Sequence, residues 1–294
     1  MGRNWIFPGI ALLAGFALAD LPAEPCALVI NGSHVTDPRT WLEVGDLRIC
    51  TNAGQDEEVP DSADVVVWEA GDAKWASTAP VHQAGSVLVA RQSSSRWQVI
   101  RTLRSPHPVA YSGFGAQLAS DGKWLAVLEG RQQRVWVFDL NNLAAQAEEI
   151  EAARGFAKAI AVADNQIIIG GTGEARFYTK QSVWTLSTRV AGPPGTVDVF
   201  TGQIVAQGNL LVSTTSGINT GDGLVFPGRV DVYRHSPTGW QWESRLSPKG
   251  DGEPFGQSCC VSLNHGQVTV TLGDQRWHFN REGADWIAAP GVEQ

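Results

Sequence analysis

The sequence has one Met, three Tyr, six His and four Cys in 294 residues, and no long stretch of helical periodicity. The missing 3.6-residue pattern excludes a helical bundle. The one segment with helical composition is 143–154, rich in Ala and Glu, which reads as a helix or as a loop with one helical turn. Clustered Lys and Arg are also missing. The formal charge is -8, and Arg131 and Arg134 stand apart as solvated rim residues. A surface for phosphate backbones needs a basic cluster, so nucleic acid is excluded as a partner. After the N-terminus no apolar run is long enough for a membrane span.

Local catalytic signatures are absent too. There is no G-x-S-x-G, no H-E-x-x-H and no glycine-rich phosphate loop opening a helix. The six His are scattered and lack ligand spacing. The cysteines Cys26, Cys50, Cys259 and Cys260 lack the paired C-x-x-C spacing of a zinc site. Four cysteines allow three pairings. Cys26 with Cys50 is the expected one and would tie an N-terminal arm to the body. Cys259 and Cys260 are adjacent in a predicted strand, so their side chains point to opposite faces.

What is present is turn chemistry and aromatic residues: 32 Gly, 15 Pro and 12 Trp. That composition suits a turn-rich all-β chain. At the N-terminus Arg3 precedes the apolar run 6–18, and Ala17-Leu18-Ala19 matches a small-x-small cleavage site before Asp20. Residues 1–19 therefore read as a signal peptide, 20–45 as a lead-in arm and 46–290 as one domain. The chain is expected to be exported, to the periplasm or the extracellular space, with no integral membrane segment after cleavage.

Internal repetition is the strongest feature. Short strands end at Ala90, Phe138, Tyr178, Tyr233 and Phe279, spaced 48, 40, 55 and 46 residues. Trp97, Trp184, Trp240 and Trp286 follow four of them by six or seven residues, and Ala145 takes that place in the second unit. A Trp recurring at one place in a repeat is expected to pack unit against unit. Phe114, Phe156, Phe200 and Phe255 form a second register. Asp121-Gly122, Asp164-Asn165, Gly208-Asn209 and His265-Gly266 form a third, of turn types that tolerate positive φ. A four-stranded unit of this size cannot bury both sheet faces alone, so the units must stack. Radial stacking gives a β-propeller. About five four-stranded blades are expected, or six if residues 26–50 make a sheet of their own. The C-terminal hairpin and the N-terminal strands at 47–50 and 65–68 are expected to share one closing blade.

The units resemble FG-GAP repeats, the blades of integrin-alpha-type propellers. Phe114-Gly115-Ala116-Gln117-Leu118-Ala119 matches the opening of that pattern. Gly228-Arg229-Val230-Asp231-Val232-Tyr233, with Trp240, matches its later part, and Gly250-Asp251-Gly252-Glu253-Pro254-Phe255-Gly256 looks like the loop into the next Phe-Gly. The resemblance covers about 64–288. It implies a propeller whose rim loops recognise partners. Many members carry calcium loops of alternating Asp and Asn, and no such run occurs here. Calcium is therefore not carried over and no cofactor is predicted. The acidic loop with Asp56, Glu58 and Asp61 is the remaining candidate for a metal.

Two functions follow. One is a binding scaffold that recognises a protein or an extracellular glycan through rim loops, the longest insertions being 70–84, 104–113, 188–199 and 214–227. The other is a carbohydrate-active enzyme, a glycoside hydrolase or lyase. Glu69 and Glu129, each ending an apolar run, would then stand at the channel mouth beside a second carboxylate.

Overall fold

The structure is a computed structural model. It describes residues 29–30, 33–34, 41–44, 46–52, 66–70, 73–77, 84–93, 96–193, 196, 200–215, 218–219, 225–226, 228–247, 260–272, 275–283 and 285–289. The chain is all-β and builds five four-stranded antiparallel sheets. The first holds Trp41–Val44, Leu47–Asn52, Ser86–Ser93 and Arg96–Leu103. The second holds Phe114–Ser120, Trp124–Glu129, Arg134–Asp139 and the short Glu148–Glu149. The third holds Ala159–Ala163, Gln166–Gly170, Glu174–Lys180 and Trp184–Ala191. The fourth holds Ile204–Gln207, Leu210–Thr215, Arg229–Ser236 and Gly239–Leu246. The fifth holds Cys260–Asn264, Gln267–Leu272, Gln275–Glu282 and Asp285–Ala289.

The shared closing blade is not formed. The fifth sheet consists of four consecutive C-terminal strands and borrows none. The first sheet completes itself from Trp41 onward, four residues inside the stretch read as the lead-in arm. Among the described residues Val66–Ala70, expected in the closing blade, pairs only with Ala73–Ser77 as a ribbon. The reason is register. Leu47–Asn52 pairs with Ser86–Ser93, so the segment between them is an excursion from a completed ladder. Among the described residues of 26–50, Val29–Ile30 and Ser33–His34 form a two-stranded ribbon and no four-stranded blade, and Trp41–Val44 and Leu47 onward belong to the first sheet. The helical segment shrinks to one 3-10 turn, Glu151–Ala153. No helix among the described residues is long and apolar enough to cross a membrane.

Successive sheets stack through their faces. Strand alternation sends neighbours to opposite sides. Leu125 and Val127 enter the core between the first and second sheets, while Ala126 and Leu128 enter the next core. Ile167 and Ile169 face back and Ile168 faces forward in the same way. Each fully buried Ile contributes about 2 kcal/mol by leaving water. First strands of successive sheets lie side by side, so they form the inner layer.

The three registers have structural meaning. Ala90, Tyr178 and Tyr233 sit at a register shift between third and fourth strands, the same bulge in three sheets. Trp184 meets Trp124 of the preceding sheet edge-on at 5.3 Å, and Trp240 lies 5.4 Å from Phe177 of its preceding sheet. Both pack sheet on sheet as expected. The turn register supplies positive φ at Gly122, Asp164, Asn165, Gly208, His265 and Gly266. The Phe register marks a close approach. A Cβ on Gly85 would stand 2.3 Å from the Phe114 carbonyl oxygen, and one on Gly170 would stand 2.3 Å from that of Phe200.

Trp286 uses its polar end. Its Nε1 donates to Glu243 Oε2 at 3.3 Å, across from the fourth sheet. Arg234 and Arg281 donate to Oε1 of the same carboxylate at 2.9 and 2.8 Å. Burial pushes the Glu243 carboxyl up, but Arg234, Trp286 and Arg281 more than offset it, so it titrates below the ordinary glutamate value. A carboxyl lowered in the folded state stabilises above its unfolded pKa, and that contribution is lost as pH falls through the folded pKa. Glu243→Gln should therefore cost about 1 kcal/mol at neutral pH, a modest figure because Arg281 is 41% exposed. The penalty should shrink as pH falls through the lowered folded pKa, where the wild-type acid also becomes neutral. Urea midpoints across a falling pH series check this.

Candidate functional site

The strand directions put the two kinds of connection on opposite rims. One rim carries the turns between first and second strands, at 121–123, 164–165, 208–209 and 265–266. The other carries the connections between second and third strands and between sheets. There the strands ending at Asn52, Leu103, Ala191, Thr215 and Leu246 stop, and those beginning at Ser86, Phe114, Ile204, Arg229 and Cys260 start. All four long insertions leave from this rim. Two begin later than the sequence suggested, because strands continue to Ala191 and Thr215.

Glu129 ends the second strand of the second sheet at this loop rim. A register shift between Leu128 and Glu129 moves its pairing to Phe114. The side chain is fully buried. Its Oε2 accepts from Trp136 Nε1 at 2.8 Å and from Ser105 Oγ at 3.2 Å. Oε1 is buried with no hydrogen-bond partner among the described residues. Ser105 lies in the loop 104–113, so the acid anchors that loop from beneath. The His107 amide donates to Ser105 Oγ at 3.3 Å, and the imidazole lies 5.8 Å from the Trp136 ring. Farther along, Ser112 Oγ donates to the Ala84 carbonyl, and the Arg131 amide donates to the Ser112 carbonyl.

This is not a nucleophile with its base. The serine hydroxyl is turned into the acid, and the imidazole rests on an indole instead of on the hydroxyl. Glu69, the other proposed acid, lies on the ribbon Val66–Ala70 opposite Lys74, not at the end of an inner strand of a sheet. Asp56, Glu58, Asp61 and Cys26 lie outside the described residues, so the metal loop and the Cys26–Cys50 bridge do too. Among the described residues no three His, Cys, Asp or Glu side chains gather as a metal site.

The residue missed by the sequence argument is Gln117. It projects from the inner strand of the second sheet. Its Oε1 accepts from the Ile160 amide of the third sheet at 3.1 Å. Its Nε2 donates to the Gly202 carbonyl, at the entry to the fourth sheet, at 2.9 Å. Gln203 repeats part of this, accepting from the Val261 amide of the fifth sheet at 2.8 Å. Both lie three residues after a register Phe, Phe114 and Phe200. That Phe-x-x-Gln spacing was visible in the sequence. The inner strands are thus cross-linked where the sheets converge, at the level of Gln117.

No protein-family model matches the chain, and no curated relative does. Among solved structures, a protein assigned as a 6-phosphogluconolactonase from Bacteroides uniformis aligns with a TM-score of 0.52 at 9% identity, covering 86% of this chain and 70% of that one. The likeness is one of fold alone. The N-terminal domain of Nup159 aligns at 0.47 with 10% identity, over 86% and 76% of the two chains. A second 6-phosphogluconolactonase assignment, from Bacteroides fragilis, aligns at 0.49 with 11% identity, over 87% and 83%. These neighbours are β-propellers.

Proposed function

We propose that the chain is an exported five-bladed β-propeller of the FG-GAP type that binds a protein or an extracellular glycan through its loop rim. The observation that carries the reading is the asymmetry of the rims. The four long insertions leave one rim, and the first-to-second turns on the other are tight, its longest described connection being 140–147. A rigid stack with variable loops on one side is how a scaffold presents a recognition face. The buried acid beneath 104–113 supports it further, because Glu129 serves the loop's position and is closed off from a substrate. The small-x-small site before Asp20 supports export, and the Phe-Gly opening with the Val-Asp-Val-Tyr strand supports the family.

The test compares the two rims. Residues 106–110 are replaced by a Gly-Ser linker in one variant, and 121–123 by Gly-Asn-Gly in another. Each is used with wild type to capture partners from the native envelope fraction and on a glycan array. The loop-rim variant should lose at least about tenfold in retained partner, the turn-rim variant nothing measurable. Equal retention by both would sink the reading. Turnover of a glycan by the wild type, abolished by Glu129→Gln, would establish the enzyme in its place.

A further inference from the structure

Away from both rims, the outer wall of the fourth sheet carries a second arrangement. Trp242 lies midway along Gly239–Leu246, the outermost strand of that sheet. It stands two residues past Trp240, so it is not one of the tryptophans that recur in the repeat, and it is 43% exposed. The bulge places it. In a regular strand residues three apart point to opposite faces. The register shift sets Trp242 opposite Tyr233 and Arg245 opposite Asp231, so both reach one side. There Trp242 Nε1 donates to Asp231 Oδ1 at 3.1 Å, and Arg245 Nε donates to the same oxygen at 3.0 Å. Arg245 Nη2 donates to Oδ2 at 3.5 Å. The Asp231 side chain is buried, and Arg245 is half-buried. The first and third sheets have the same bulge and fill these three places with Val99, Thr102 and Leu88, or with Leu186, Arg189 and Arg176. Of the three bulged sheets, the fourth alone turns an indole outward over a buried acid.

We infer that this wall site binds a neutral pyranose chain, stacked on Trp242 and hydrogen-bonded by Arg245. The local charge is spent, because the buried carboxylate is matched by one guanidinium, and a bare ion of either sign gains little here. Asp231 takes two of the five guanidinium N–H groups, and the others are donors for sugar oxygens. The indole N–H is spent as well. The ring therefore offers its apolar face alone, which suits the C–H face of a sugar. A protein is the competing partner. A stable protein interface takes about 800 Å² from each side, around an apolar core. Among the described residues of this wall the large exposed apolar surface is a single ring. Gln241 beside it is polar and exposed, and the outer strand of the third sheet exposes Thr185, Ser187 and Arg189. A proline-rich segment needs a groove lined by aromatic rings, and Trp240 is already packed against Phe177 and His235. An added peptide strand would use the strand's edge amides and does not account for the anchored indole.

Calorimetry on the full chain tests this with neutral cello-, manno- and chito-oligosaccharides, an oligogalacturonide and a proline-rich peptide. At least one neutral oligosaccharide should bind, about tenfold or more tighter than the galacturonide and the peptide. Trp242→Gln, whose amide still reaches Asp231 as a donor, should weaken it about tenfold or more, and Trp242→Phe, which keeps a ring, should recover part of that loss. Saturating saccharide should also shield wild-type indole fluorescence from acrylamide, a readout that does not depend on how either variant folds. The 106–110 replacement should bind the saccharide as wild type does, because the wall lies apart from the loop rim. No neutral saccharide binding, equal binding of the galacturonide or the peptide, unchanged quenching, or affinity unmoved by Trp242→Gln overturns the inference. If no saccharide binds while the 106–110 replacement still loses its captured partner, the wall site is wrong and the loop rim stands. If the saccharide is lost from the 106–110 replacement and kept by Trp242→Gln, its site is the loop rim and the wall site is wrong.

Discussion

Glu129→Ala should cost about 3 kcal/mol of stability, a large effect for one residue at the edge of a loop. Two buried donors lose their acceptor, Trp136 Nε1 and Ser105 Oγ. Each orphaned donor costs about 1–3 kcal/mol, and the emptied volume adds to that. Relief of the unpartnered Oε1 subtracts from it. Glu129→Gln should cost only about 1 kcal/mol, because the amide oxygen keeps both hydrogen bonds. Urea unfolding measures the difference. A cycle with Trp136→Phe should show coupling above about 1 kcal/mol, because the two residues share one hydrogen bond. Amide exchange should quicken at Gly130 and Arg131, whose donors hold the loop to the turn. A cost below about 0.5 kcal/mol would mean that the acid does not support the loop. The sign also bears on function. Removing an active-site acid usually leaves stability unchanged or raises it, because such sites trade stability for activity. A large loss identifies Glu129 as a brace.

The sequence made the repeat legible because the repeat is local. A two-residue turn needs positive φ, a packing Trp needs one place in the unit, and both recur at spacings that can be counted. That is why Asp164-Asn165 and Trp184 were read correctly. Closure was misread for a physical reason. The strands at 47–50 and 65–68 look alike as apolar runs, but pairing is set by partners far along the chain. Leu47–Asn52 finds Ser86–Ser93 across more than thirty residues, which makes Val66–Ala70 part of an insertion. Glu129 was singled out because it ends an apolar strand. Its role was not legible, because Ser105 lies 24 residues earlier on another sheet's loop. Arg131 read as a solvated charge since nothing local pairs it with Tyr111. Gln117 lies inside the stretch that resembles the FG-GAP opening, and that local match carries no sign of its role. Its partners, Ile160 and Gly202, lie 43 and 85 residues away.

Gln117→Ala should be comparably damaging, at about 3 kcal/mol, with consequences spread across three sheets. The inner strand of the third sheet is an edge: its Ile160 amide points away from its own ladder partner and finds Gln117 Oε1 instead. Removing the side chain leaves that amide and the Gly202 carbonyl buried and unpaired. A buried backbone group without a partner costs about as much as the hydrogen bond it lost in an apolar setting. Gln117→Met restores the volume and none of the bonds, so it should recover only the packing share, about 1 kcal/mol. Gln117→Glu should do no better than Ala, because a carboxylate oxygen would then face the Gly202 carbonyl. Gln203→Ala is the internal comparison. It makes one such bond, to the Val261 amide, and should cost about half as much. Amide exchange at Ile160 in the first variant and at Val261 in the second should accelerate selectively. If both substitutions cost the same, or if Ile160 exchange is unchanged in Gln117→Ala, the inner strands are held by side-chain packing alone and the Phe-x-x-Gln repeat has no structural role.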